Sequence, residues 1–263
     1  MKQEILWVLG ALVLAGLGTY FYYQRKDAGL EPQQDVQVQE PAGAAAPKIE
    51  NPVPAPEPEA PPLPKLKESD PVVRDALTVV VGDEAVAKYL VPQEVIRRFV
   101  VTVDNLPRKK VAVELRPVKT VPGEFVASGG ADSVVLDSEN YARYAPLVKI
   151  VQSADSKQLA ALYRRFYPLF QESYENLGYP SAYFNDRMVQ VIDHLLETPD
   201  VKGQIKLVQP SVYYQFADPR LEALSAGQKA LIRMGSNNAA AVKAKLRELR
   251  AEIAKTPPPP AAQ

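Results

Sequence analysis

Residues Ile5 to Tyr23, ILWVLGALVLAGLGTYFYY, form an uncharged apolar run of nineteen residues near the amino terminus. At the helical rise of 1.5 Å per residue such a run spans about 28 Å, close to the hydrocarbon thickness of a bilayer. It has no polar face, unlike the helices of soluble domains. Trp7 stands near one end and Tyr20, Tyr22 and Tyr23 at the other, where amphipathic rings favour the interfaces. The alternative is a cleaved signal peptide. The run is longer than a typical signal core and continues through aromatics into Gln24, Arg25 and Lys26 without a small-x-small cleavage site. The expectation is therefore a single-pass transmembrane anchor, with flanks, over residues 1–27, contacting the lipid bilayer. Lys2 on one side and Arg25 and Lys26 on the other leave the charge rule undecided about orientation. The long stalk that follows favours a body outside the cytoplasm.

Residues 28–64 read AGLEPQQDVQVQEPAGAAAPKIENPVPAPEPEAPPLP, rich in proline, alanine and glutamate and without an aromatic side chain. Such a segment buries too little apolar surface to offset its ordering entropy, so a disordered linker is expected. Its proline-dense second half favours extended polyproline II. The end of the chain, 255–263, reads as a similar tail. Lys plus Arg and Asp plus Glu number 31 each, and this balance argues against a nucleic-acid partner. The chain has no cysteine and a single histidine, His194, so no metal site or cofactor is expected.

The body, 65–254, repeats apolar residues at three and four. Asp70 and Pro71 read as N-cap and first helical residue, with Val73, Ala76, Leu77, Val80 and Val81 behind them and Gly82 as the stop. Val95, Phe99, Val103 and Leu106 carry a second stripe, which favours helix over strand for a β-branched stretch; Arg97 and Arg98 beside it read as solvated neighbours of carboxylates. Lys110 to Asp137 has no helical period and reads as a long ordered loop, with a small hairpin of Val111–Leu115 against Phe125–Val126. A helix from Asp137 or Ser138 contains Pro146. Another, capped by Asp155 or Ser156, contains Pro168; bends or breaks are expected at both prolines. Ser181 is expected to cap the helix carrying Phe184, Met188, Val191, Ile192 and Leu195. Gln204 to Phe216 reads as extended chain, and Gly227 as an interruption. The last helix, from Asn237 or Asn238 to Ala254, is expected on the surface, with Lys243 and Lys245 off its narrow apolar stripe. The fold class is mainly α: an anchor, a disordered linker and a compact multi-helical domain with a few short extended or β segments.

Five phrases carry a family likeness: IRRFVVTVDNLPR (Ile96–Arg108), NYARYAPLV (Asn140–Val148), LYRRFYPLFQESYENLGYP (Leu162–Pro180), YFNDRMVQVIDHLLETP (Tyr183–Pro199), and the stretch from Leu207 to Arg250. Over roughly Leu63 to Ile253 the chain resembles a bacterial envelope-associated family known only as a domain of unknown function. Members of that kind carry an N-terminal anchor and a proline-rich spacer. The resemblance implies no catalytic residue, substrate or partner.

Chemistry must then be sought in side chains. A glycan-cleaving site needs a carboxylic acid in an apolar cleft opposite a second carboxylate. Glu172, among the aromatics of YPLFQESYENLGY, and Asp186 are the candidates, with His194 a candidate for proton transfer. A recognition patch would draw on Tyr183, Asn185 and Arg187, and on Gln209, Tyr213, Arg233 and Asn237; equally, the second group would lock the extended segment onto the helices. No GxSxG elbow, phosphate-binding glycine loop or dinucleotide fingerprint is present. The expected function is that of a membrane-anchored periplasmic binding or scaffolding protein of the bacterial cell envelope. Its expected setting is the inner membrane, and its partner an envelope protein or peptidoglycan. Glycan binding or cleavage is the alternative.

Overall fold

A computed structural model describes residues 48–54, 61–130 and 133–254. The expected anchor, the linker up to residue 47 and the tail from 255 lie outside the described residues. No described helix is long and apolar enough to cross a membrane.

The described body contains nine α-helices: α1 (Asp70–Val81), α2 (Asp83–Tyr89), α3 (Val95–Asn105), α4 (Glu139–Ser153), α5 (Ser156–Glu175), α6 (Phe184–Leu196), α7 (Pro219–Glu222), α8 (Ala226–Arg233) and α9 (Ser236–Ile253). Two antiparallel pairs accompany them: β1 (Ala127–Ser128) with β2 (Val135–Leu136), and β3 (Leu207–Val208) with β4 (Gln215–Phe216). The mainly α class with short β segments holds for this part of the chain. The stretch from Val95 is helical, as its stripe predicts. β-branched residues tolerate a helix when one face is fully buried, and Val100 and Val103 are completely so.

Helix α9 is the hub. It packs on α4, α5, α6 and α8, which corrects its expected place on the surface. Ala239, Val242, Leu246, Leu249 and Ile253 give the apolar face, and Lys243 and Lys245 are buried beside them. The lysines were expected off the stripe because of their charge. Their stems cover apolar surface while their ammonium groups close the ends of other helices. The Lys245 Nζ donates to the carbonyl of Ala154, just past α4, at 2.6 Å. Lys243 Nζ donates to the carbonyl of Thr198, just past α6, and pairs with Asp200 at 3.0 Å. A cation at a helix C-terminus meets both unsatisfied carbonyls and the negative end of the macrodipole.

The same cross-helix closure recurs. Asp155 caps its own helix α5, as expected, accepting from the amides of Lys157 and Gln158 at 2.9 Å each. Asp70 does not cap α1. Its carboxylate reaches across to accept from Glu94 at 2.7 Å and Val95 at 2.8 Å, fixing the start of α3, where Glu94 has a φ of 51°. Ser181 does not cap α6 either. Gln171 Oε1 on α5 accepts from Phe184 N–H at 2.8 Å, and the Tyr167 hydroxyl accepts from Asn185 N–H at 3.3 Å. Gly227 lies inside α8 instead of interrupting it. There the amides of Ala226 and Gly227 donate to the carbonyls of Arg108 and Leu106 at 2.8 and 3.0 Å, so one helix start meets the end of another. A Cβ at Gly227 would stand 2.6 Å from Leu195 Cδ2, which is why glycine serves this approach. Pro146 and Pro168 sit within α4 and α5 without dividing either helix.

The loop after α3 is ordered, but its expected hairpin does not form. Val113–Leu115 makes a single 3-10 turn, and Arg98 donates to the carbonyls of Glu114 and Arg116; only Arg97 pairs with a carboxylate, Glu94. Val118 instead bridges Leu90, and both are buried. Ala127–Ser128 pairs with Val135–Leu136, and Val135 bridges Lys206, linking the two β pairs. Asn140 on α4 fixes this region by exchanging bonds with the Val126 backbone. A second small core of Leu136, Ile205, Leu207, Phe216 and Ile232 forms beneath the strands.

Phe166 is buried in the main core. Phe166→Ala should cost about 3–5 kcal/mol in a denaturant melt; a change under about 1 kcal/mol would contradict its burial. Hydrogen bonds from Lys245 and Ser156 hold the Glu248 carboxyl below its ordinary 4.5. This stabilisation is present above the unfolded value and is lost as pH falls through the lower folded one. Glu248→Gln should therefore remove part of the stability lost on acidification below 4.5, measured as melting temperature against pH.

Candidate peptide-docking site

The amino-terminal turn of α6 carries Asn185 and Asp186, preceded by Tyr183; α5 lies alongside with Tyr163, Tyr167 and Gln171. Their rings form a connected group. Tyr163 and Tyr167 lie 5.7 Å apart between centroids, and Tyr167 and Tyr183 lie 5.3 Å apart. Tyr163 also packs on Phe170 at 5.3 Å, which continues into Phe184 and Phe99. The aromatic phrase around Tyr163–Phe170 is thus mostly core.

Residues 48–54 dock against this turn, which corrects the expectation of a disordered linker for them. Asp186 accepts from the Glu50 amide at 3.1 Å and from the Asn51 amide at 2.7 Å, and it takes the Asn51 side-chain amide at 3.0 Å. Asn185 Nδ2 donates to the Asn51 carbonyl at 2.8 Å. The Tyr183 hydroxyl accepts from Val53 N–H at 2.8 Å, and Val53 packs on the main core. Pro52 lies between the two grips and has no N–H to satisfy. Further along, Arg165 donates to the Pro61 carbonyl, and Leu63 and Leu66 pack on the core. The linker expectation therefore fails for 61–64 as well. Three polar side chains within four residues of sequence thus hold a segment lying 130 to 136 positions earlier in the chain.

Burial, helped by the neighbouring Tyr167, Tyr183 and Asp186, pushes the Tyr163 hydroxyl well above its ordinary range. Burial also raises Tyr167, with its hydrogen bond to Tyr183 adding to the effect. Both phenols stay protonated at neutral pH, and Tyr167 donates its proton to Gln171 Oε1 at 3.0 Å.

The other candidates separate. Arg187 turns away from the docked segment to Asp104 on α3, at 3.1 Å from Nε to Oδ1 and 2.8 Å to its carbonyl. Arg108 and Tyr179 complete the shell of this buried carboxylate. Burial, then Asp104, pushes Tyr174 beside it up to about 12. Asp104 was missed because a lone aspartate in a β-branched stretch carries no spacing signal. His194 Nε2 lies 2.8 Å from Ser225 Oγ, and its carbonyl accepts from Gln228, so it fastens the capping box of α8. Glu172 is exposed on α5, and Asp186 is engaged with backbone amides; an exposed carboxyl lacks the apolar cleft that raises an acid catalyst's pKa.

Gln209 bonds only within its own hairpin turn, to the Val212 carbonyl at 3.2 Å; Tyr213 is half-buried there and Asn237 is exposed on the first turn of α9. Arg233 is buried, donates to the Tyr214 carbonyl at 3.1 Å and stands 4.5 Å over the Phe216 ring. That arrangement fits the expected lock on the extended segment. Among the described residues no three His, Asp or Glu side chains converge as a metal site. An apolar cavity of about 110 Å³ lies between α1 and α5, lined by Leu77, Phe99, Tyr163, Phe166, Met188 and Leu246 among others.

Fold and site together define an α-helical domain in which side chains of α6 and Tyr183 hold residues 50–53 of the same chain. Residues 95–250 match the family described as "Protein of unknown function (DUF3014)", more than half of the 263-residue chain, and the chain belongs to that family. No curated protein and no solved structure matches it. The match is narrower than the resemblance over Leu63–Ile253: the clamp lies inside it, whereas the docked segment, α1 and α2 lie before it.

Asp186→Asn keeps the shape of the clamp but weakens acceptance from three donors. It should expose the Glu50 and Asn51 amides, raising their hydrogen-exchange rates at least tenfold while leaving the amides of α9 unchanged. Unchanged exchange at Asn51 would show that the carboxylate does not hold the segment.

Proposed function

We propose that this chain is a membrane-anchored binding or scaffolding protein of the bacterial cell envelope. In this reading Ile5–Tyr23 holds it in the inner membrane, and the helical body works in the periplasm on an envelope protein or on peptidoglycan. The observation that carries the binding reading is the clamp itself. Tyr183, Asn185 and Asp186 grip backbone groups of a proline-containing segment bent at Glu50 and Asn51, which is how a recognition domain holds a peptide without a reaction. The apolar run and balanced charge support an anchored protein that does not bind nucleic acid.

A photocrosslinking residue at Ile49, which is 48% exposed beside the clamp, reports on what meets this face. In intact cells it should yield a discrete adduct in the inner-membrane fraction, and a periplasm-only reporter fused after Gln263 should be active. Activity of a cytoplasm-only reporter would overturn the placement. Absence of any adduct at Ile49 would count against the binding face.

A further inference from the structure

Two polar atoms at the clamp are buried and have no hydrogen-bond partner among the described residues: Asn185 Oδ1 and the Tyr163 hydroxyl. Asn185 is fully buried, and both protons of its amide nitrogen are committed, one to the Asn51 carbonyl at 2.8 Å and one to the Ile253 carbonyl at 3.0 Å. Its oxygen is consequently left as an acceptor without a donor. Buried acceptors without partners are rare in native proteins, because each bears the full desolvation penalty. The chain's own segment satisfies the outer part of the clamp and leaves this inner pair unmet.

The contacts that are made read a short pattern. Asp186 requires N–H groups at the Asn position and the one before it, together with the Asn side-chain amide. Asn185 reads the Asn carbonyl, and the Tyr183 hydroxyl takes the N–H two residues on. The intervening position donates nothing, so proline is tolerated and stiffens the peptide. An apolar β-branched side chain then reaches the core.

We infer that the clamp is a recognition site for an Asn-Pro-Val-type peptide, bent at its asparagine and supplied by another protein, and that residues 49–54 occupy it in cis as a displaceable strap. The inference rests on the binding reading above and names its ligand class. A peptide that also offers a donor to Asn185 Oδ1 completes the site in a way the strap does not. Competition from the strap lowers the apparent affinity of any peptide in trans by the fraction of molecules whose clamp is open.

The test uses the full chain and a fluorescein-labelled peptide with the sequence of residues 46–56, APKIENPVPAP. A strap variant, Asn51→Ala with Val53→Ala, leaves every clamp residue in place. It should bind the peptide at least tenfold more tightly than the unaltered chain. Adding Asp186→Asn to that variant should weaken binding at least tenfold, and a control peptide with alanine in place of its asparagine should bind no better than that triple variant. A strap variant that melts cooperatively yet shows no saturable binding, or binds the control peptide equally, overturns the inference. Where the strap variant does not melt cooperatively, the unaltered chain is irradiated with a peptide carrying a photoreactive residue at its valine. Labelling within Tyr163–Asp186 that unlabelled peptide suppresses supports the site, and its absence overturns it. Capture of a cellular partner that persists without peptide binding would leave the binding reading standing while defeating this inference. Peptide binding without cellular capture would support the site while counting against the envelope partner proposed above.

Discussion

Every α-helix leaves amides at its start and carbonyls at its end without partners in the helix, and in a body of short helices these groups are numerous. Here neighbouring helices satisfy many of them. Lys245 and Lys243 on α9 close the ends of α4 and α6; Asp70 at the start of α1 closes the start of α3. Gln171 and Tyr167 on α5 close the start of α6, and Asn185 on α6 donates to the carbonyl of Ile253, the last residue of α9. Each such bond fixes the position of one helix end relative to another helix, so it specifies the arrangement as well as satisfying a backbone group. Apolar contact alone is non-directional and would leave sliding and rotation less constrained. This explains how three lysines, Lys229, Lys243 and Lys245, come to be buried, as Asp104 and Arg233 also are, in a body packed mainly from valine, leucine and aromatics. An ammonium buried against carbonyls and a carboxylate is tolerated, whereas the same group among methyls would not be.

The clamp applies the same chemistry to a segment that is not a helix. Asp186 treats the amides of Glu50 and Asn51 much as Asp70 treats those of Glu94 and Val95, two N–H groups per carboxylate. Asn185 joins the two uses, since one amide nitrogen serves both the strap and the end of α9. The strap thus reports to the hub of the bundle through a single side chain. Its backbone is held by side chains alone, on an exposed face, whereas the helix junctions are enclosed.

How much of this was legible in the sequence follows from which interactions are local. Helical stripes are local, and they placed α1, α3, α5, α6 and α9 because residues three and four apart share a face whatever lies opposite. Asp155 was legible as a cap because it serves its own helix. Asp70 and Ser181 misled for the opposite reason: the bonds that close α3 and α6 come from distant positions, so a local capping rule assigns them to the nearest helix start. The pairing of β1 with β2 was missed because strands of two residues carry no alternation to detect, and Gly129, with a φ of 108°, reads locally only as a loop residue. Lys243 and Lys245 were read as lying off the narrow apolar stripe, while their destination is set by helix ends 45 and 91 positions away respectively.

The site residues divide along the same line. Tyr183 and Asn185 were read as patch residues together with Arg187, and Asp186 as a second carboxylate; the segment that Tyr183, Asn185 and Asp186 hold was not legible, because it has the composition of a linker. Low apolar content predicts that a segment cannot fold by itself. It does not predict that the segment stays free when a preformed clamp supplies partners for its backbone. Among the described residues, Asn51 provides the one side-chain hydrogen bond from strap to clamp, and Val53 the packed apolar group. Proline at 52 stiffens the chain between them and so reduces the entropy lost on docking. A compositionally plain segment therefore places its hydrogen bonds with α6 and Tyr183 within four residues, Glu50 to Val53. The pattern becomes visible only once the groups that receive it are placed in space.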